Sequence, residues 1–124
     1  MIPDAADICR AWLQGAGIAA CCEPVPRDLP DRLPLTVLSN GGGTVRDLVV
    51  CDLRVEAWTH ADDLAAAMAE SARVCDALAA MAGAVGGTEV YGASVQQAPA
   101  EGYDPANPEV RLAGCVVAVL CRAH

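Results

Sequence analysis

The cysteines and histidines are the most reactive side chains in this sequence, and their spacing decides what they can do. There are seven cysteines and two histidines. A zinc site wants Cys-x-x-Cys spacing or a histidine pair. Cys21 and Cys22 are adjacent, so on a strand they point to opposite faces. Cys115 and Cys121 share a face but lie about 20 Å apart along an extended strand. His60 stands at an expected helix start and His124 is the last residue. No ligand set forms, and no metal or other cofactor is expected. A Cys–His nucleophile would need its thiol in a polar, electropositive setting. Cys51, Cys75, Cys115 and Cys121 instead fall on apolar faces, where a free thiol behaves as a small hydrophobe. A thiol redox enzyme remains a rival reading, and a thiol of markedly lowered pKa would mark it.

The other chemical candidates have plain structural explanations. Asp62 and Asp63 sit in the expected first turn of a helix, where the dipole favours negative charge. Gly41-Gly42-Gly43 lies between two strands and reads as a hairpin turn, since an anion cradle belongs at a helix N-terminus. All eight positive charges are arginine. A chain without lysine has no Schiff base, no pyridoxal phosphate anchor and no GxxxxGK[ST] nucleotide loop. Residues 98–108 (APAEGYDPANP) read as a long loop exposing Glu101, Tyr103 and Asp104. Long loops are often functional, so these three form a candidate docking loop for a protein partner. The competing explanation is a solvated hairpin loop.

The elements around these residues follow from periodicity. Pro3 suits a first helical turn, and Ala5, Ile8, Cys9 and Trp12 share one side of a helix over 3–15, which Gly15 and Gly17 end. Residues 18–22 read as a short strand. The segment 23–34 holds half the chain's prolines and must be an extended connector or edge arm. Residues 35–39 are a strand, followed by the glycine turn and a long strand over 45–58. There Val49, Cys51, Leu53, Val55 and Ala57 alternate with Asp52, Arg54 and Glu56. Thr59 is placed to cap the next helix, with Asp62 three residues on as in a capping box. Leu64, Met68, Ser71, Cys75, Leu78 and Ala82 then recur at helical spacing over 60–82, flanked by Ala67, Val74 and Met81. Gly83, Gly86 and Gly87 close that helix. Residues 88–97 are a strand with Tyr91, Ala93 and Val95 on one face. The last strand, 110–122, is apolar on both faces: Val110, Leu112, Val116 and Leu120 on one, and Ala113, Cys115, Val117, Val119 and Cys121 on the other. Such a strand is central in its sheet or covered by a neighbouring subunit.

At 124 residues the chain is long enough for one domain with a real core, here spanning 1–124. The apolar fraction is 54% but aromatics are only 3%, so the core must be thin and built from Ala, Val, Leu and Cys. The hairpin-length links predict an α+β domain: a mainly antiparallel sheet of four to five strands with the helices packed on one face. The opening residues have neither a basic region nor an apolar run, and no stretch is long and apolar enough for a membrane span. A reducing compartment with free thiols is therefore expected. The net charge of -8 argues against binding nucleic acid or anionic membrane through the overall field.

The order helix, Pro-rich arm, hairpin, alternating strand ending in Trp (LRVEAW), capped Ala-rich helix (ADDLAAAMAESARVCDALAAMAG) and two further strands resembles phage tail terminator proteins. These are also called tail-completion or head–tail joining proteins of long-tailed phages. The resemblance covers nearly the whole chain. It implies a structural, non-enzymatic virion protein, made in the host cytoplasm and placed at the tail–neck junction. It implies a hexameric ring of this chain that caps the tail tube protein and meets a neck or head-completion protein. DNA would pass through the lumen without being specifically bound. The long strands would then meet neighbouring subunits, through Val110, Leu112, Val116 and Leu120. The cysteine content is not required by the family. The alternative reading is a small cytoplasmic protein-binding domain that uses the 98–108 loop.

Overall fold

The computed structural model describes residues 2–46 and 49–123. In chain order the elements are α1 (Ala5–Gly15), β1 (Ala20–Cys22), β2 (Leu35–Val45), β3 (Val50–Ala61), α2 (Leu64–Ala79), β4 (Gly83–Val85), β5 (Thr88–Gly102) and β6 (Arg111–Arg122). A single 3-10 turn over Leu29–Asp31 interrupts the proline-rich arm. The strands form one sheet in the order β1-β2-β3-β6-β5-β4, with six strands where four to five were expected. Only β1–β2 is parallel. The extra strand is β4, built from residues that the glycine content had assigned to a helix stop. Gly86 and Gly87 (φ +56° and +80°) instead make a two-residue hairpin turn between Val85 and Thr88, the conformation that type I′ turns require.

Both helices cover one face of the sheet. Their buried side chains, among them Ile8, Cys9, Leu13, Val74, Cys75 and Leu78, join Cys51, Val55, Cys115, Val117, Val119 and Cys121 in one cluster. The alternation in β3 sorts as its sequence requires: Cys51, Leu53, Val55 and Ala57 are buried, while Asp52, Arg54 and Glu56 are half-exposed. The indole Nε1 of Trp12 donates to the Ala77 carbonyl at 2.7 Å and ties α1 to α2. The opposite face is bare of helices but not wholly uncovered. The arm folds over one end of it, where Leu29, Leu35, Val37 and Val110 make a second buried cluster.

Three boundaries depart from the sequence reading, each for a local reason. Asn40–Gly43 is not the hairpin turn. It is a one-residue bulge within β2, where Asn40 pairs Val55 and Gly43 pairs Leu53. A Cβ on Gly43 (φ +145°) would stand 2.7 Å from the Leu53 Cα and closer still to the Asp52 carbonyl oxygen. The reversal comes after Val45, and the expected strand over 45–58 begins only at Val50, with residues 47 and 48 of that expectation lying outside the described residues.

Thr59 does not cap α2. The strand continues through Ala61 because β6 still offers Leu112 and Arg111 as partners, and Thr59 Oγ1 pairs with the buried Thr36 Oγ1 at 2.9 Å. The cap is Asp63, whose carboxylate accepts from the Ala66 N–H at 2.7 Å. Asp63→Ala should therefore lower stability by about 1 kcal/mol, read as a shifted denaturation midpoint at constant m-value.

Finally, 98–102 is not loop. β5 runs on to Gly102, and Pro99 is accommodated because it sits where the register slips between Gln97 and Ala100.

Candidate functional site

β6 lies between β3 and β5, so it is central in its sheet. Its helix-facing side is filled by Ala113, Cys115, Val117, Val119 and Cys121, all buried. The residues expected to meet neighbours, Val110, Leu112, Val116 and Leu120, meet different fates on the other side. Val110 precedes β6 and is buried beneath the arm with Leu29, Leu35 and Val37. Leu112 is buried as well. Val116 and Leu120 stay half-exposed, with Ala118 between them. The open face therefore keeps an apolar strip along its middle. Across it, Leu120 pairs Asp52 and Gly92, Ala118 pairs Arg54 and Ser94, and Val116 pairs Glu56 and Gln97.

Charge on this face is largely self-compensated. Asp52 binds both Arg46 (3.0 Å) and Arg54 (2.5 Å). The Arg54 hydrogen bond, with that from Arg46, holds the Asp52 carboxyl below its ordinary value. Glu56 accepts weakly from the Ser39 hydroxyl at 3.5 Å.

A groove of about 410 Å³ opens at the other end of the same face. The arm forms one wall through Glu23, Pro24 and Val25, and Tyr103, Asp104 and Pro105 form the other. Trp58, His60 and Leu112 contribute to its floor. Trp58 lies flat over two glycines: a Cβ on Gly102 would come 2.6 Å from its ring, and one on Gly114 would come within 2.9 Å of Cδ2 and closer to Cε3 and Cζ3. His60 is not at a helix start but in β3, with 2% of its surface exposed. Its Nδ1 lies 3.2 Å from the Trp58 carbonyl, which can only accept, so Nδ1 carries a proton and donates. Its Nε2 faces Asp104 Oδ2 at 3.7 Å.

The three residues of the expected docking loop are split by the fold. Glu101 is a strand residue paired with Ala113. Asp104 shapes the loop itself, accepting from the Asn107 side chain and the Ala106 N–H, both at 3.0 Å. The Asn107 hydrogen bond, the Ala106 N–H and the neighbouring His60 hold its pKa below the ordinary carboxylate value, against a desolvation that acts the other way. Tyr103 projects freely, with 72% of its surface exposed, and the Glu101 side chain is exposed on its strand. Sequence reading missed Trp58 and His60 as partners in one site. The signal was there, since residues two apart on a strand share a face.

Most of the thiols sit in the core. All seven cysteines are free, five of them buried and Cys21 and Cys22 half-buried. Burial pushes the Cys9 thiol up to about 12 and raises Cys21, Cys22 and Cys121. Cys75 and Cys115 share a hydrogen bond under α2 that favours the Cys75 thiolate and, with burial, raises Cys115. Among the described residues, no group of three or more His, Cys, Asp or Glu is placed to hold a metal ion. No described helix is long and apolar enough to cross a membrane.

No protein-family model and no curated protein matches this chain. A solved structure does: a chain in "Virion of native gene transfer agent (GTA) particle", with a TM-score of 0.53 and 23% identity, over 98% of this chain and 96% of that one. At that identity the likeness is one of fold, and it runs from end to end of both chains.

Proposed function

We propose that this chain is a structural subunit of a phage-like virion, and that it forms a ring capping the tail tube where the tail joins the neck of the head. The observation that carries the virion role is the end-to-end fold match to a chain of a gene transfer agent virion. The ring and its position rest on the resemblance to tail terminators and on the half-exposed Val116 and Leu120, which a single copy leaves partly uncovered. Ring contacts are head-to-tail and close on themselves, so each subunit offers two different surfaces. The tail tube protein and a neck or head-completion protein would bind the ring's two ends.

The role is mechanical, and the chain is not an enzyme on this reading. Its charge suits a DNA conduit. The net charge is -8, and on the open face Asp52 neutralises part of what Arg46 and Arg54 supply. A basic lumen would hold phosphates through counterion release and stall the genome. Native mass measurement across a range of concentrations, with and without assembled tail tubes, tests the proposal. A closed ring, most simply a hexamer, is expected. A strict monomer under every condition would overturn it and favour the alternative, a small protein-binding domain whose exposed Tyr103 marks the contact surface.

A further inference from the structure

The groove between the arm and the 103–110 segment has a definite chemical preference. Its ionisable lining is Glu23, Glu56, Asp104 and His60, and no arginine contributes to it. Its apolar lining is Pro24, Val25, Val37, Trp58, Tyr103, Pro105 and Leu112. Flat aromatic and proline surfaces side by side suit an extended chain with few internal hydrogen bonds, the form that proline-containing segments adopt.

The polar end of the groove is more specific. His60 uses its Nδ1–H on the Trp58 carbonyl, and its Nε2 faces a carboxylate oxygen of Asp104 at 3.7 Å. Glu23, Glu56 and Asp104 line the groove beside it, so the ionisable lining holds more acidic groups than basic ones. Such a lining favours a cationic group whose donors reach more than one carboxylate. A planar guanidinium, with several N–H groups in a fixed fork, fits that requirement better than the single point charge of an ammonium. His60 and Asp104 are both held in place, the first by burial and the second by its two loop hydrogen bonds, so the site is preformed.

We propose that this groove docks an extended segment of a partner protein that carries an arginine beside proline or another apolar residue. The guanidinium binds the Asp104 carboxylate, with Glu56 and Glu23 supplying the surrounding negative field. The apolar neighbour packs on Trp58 and Tyr103. The proposal stands on the groove alone and does not require the ring.

The probe is a set of fluorescein-labelled hexapeptide pools, each fixing one residue at one position, read by anisotropy on the full chain. Pools fixing arginine should bind at least about tenfold more tightly than pools fixing glutamate, and adding salt should narrow the gap. Tyr103→Ala and the pair Glu23→Gln with Glu56→Gln should each weaken the arginine pools by about fivefold. These residues are exposed or half-exposed, so the variants should keep the parent circular dichroism. Asp104→Asn retains an acceptor for the Ala106 N–H and should reduce the arginine preference specifically. Equal binding of arginine and glutamate pools would overturn the proposal, as would a preference unchanged in Asp104→Asn. So would a peptide of residues 23–34 from this chain outcompeting the arginine pools and blocking self-association, because the occupant would then be a second copy. A protein that binds the arginine pools yet stays monomeric would leave this inference standing and remove the ring.

Discussion

Alanine at position 114 should lower the free energy of unfolding by about 2 kcal/mol, a large effect for a single added methyl group. Gly114 is buried in the central strand, where glycine weakens a strand unless another group needs the space. Here the other group is the Trp58 ring, which lies where a Cβ would go. The ring also rests on Gly102, so it is held between two strands and cannot swing aside toward β5. The test is a double-mutant cycle. Trp58→Ala alone should cost about 2 kcal/mol, less than a fully buried tryptophan, because Trp58 is only half-buried. In that background Gly114→Ala should cost nothing or stabilise slightly, since the clash is gone and alanine suits a strand better than glycine. A coupling energy near 2 kcal/mol follows. Additive costs would mean that Gly114 serves the backbone and not the ring.

The same pair explains what could and could not be read in advance. The alternation of β3 and the helical stripe of α2 are strong periodic signals, and both sort as read in their middles, Cys51 to Ala57 and Ala67 to Leu78, while Val49 and Leu64 at the ends are exposed and Ala82 lies past the helix. The boundaries failed where a residue type has two uses. Asn40-Gly-Gly-Gly satisfies a turn and a bulge equally, and only the pairing of Gly43 with Leu53 decides between them. Thr59 can cap a helix or extend a strand, and the partner strands on both sides settled it. Pro99 looked like a loop residue because the bulges that accommodate it come from register slips against β6, a property of two strands at once. The groove was hidden for a related reason. Its walls come from residues 23–25 and 103–105, far apart in the chain: Tyr103 and Asp104 stand out as a candidate docking loop, but nothing in the sequence brings the arm against them. Trp58 and His60 were visible singly. What was missing was the strand's continuation past residue 58, which puts them on one face.

Replacing the half-exposed strip should abolish assembly while sparing the fold. β6 is apolar on both sides, and the chain itself accounts for most of that. The helices cover one side, the arm covers Val110 and Leu112, and Trp58 covers Gly114. From Val116 to Leu120 the second side has only polar side chains beside it: Glu56, Arg54 and Asp52 from β3, and Ser94 and Gln97 from β5. If ring contacts use this strip, Val116→Asp with Leu120→Asp removes two apolar contacts and buries charge at every interface. Each lost apolar contact is worth about 1 kcal/mol at the exposure that remains, and an unpaired buried charge costs more. A closed ring repeats that loss at each of its contacts, so the assembled fraction should fall below detection at concentrations where the parent is fully assembled. The monomer should survive, since both side chains already touch solvent and Arg46 and Arg54 stand nearby to receive the new carboxylates. Thermal denaturation together with sedimentation velocity separates the two effects. A variant that unfolds would show that Val116 and Leu120 belong to the monomer's core. A variant that still assembles would place the contacts elsewhere on the subunit, with the uncovered length of β2 or β5 as the next surface to test.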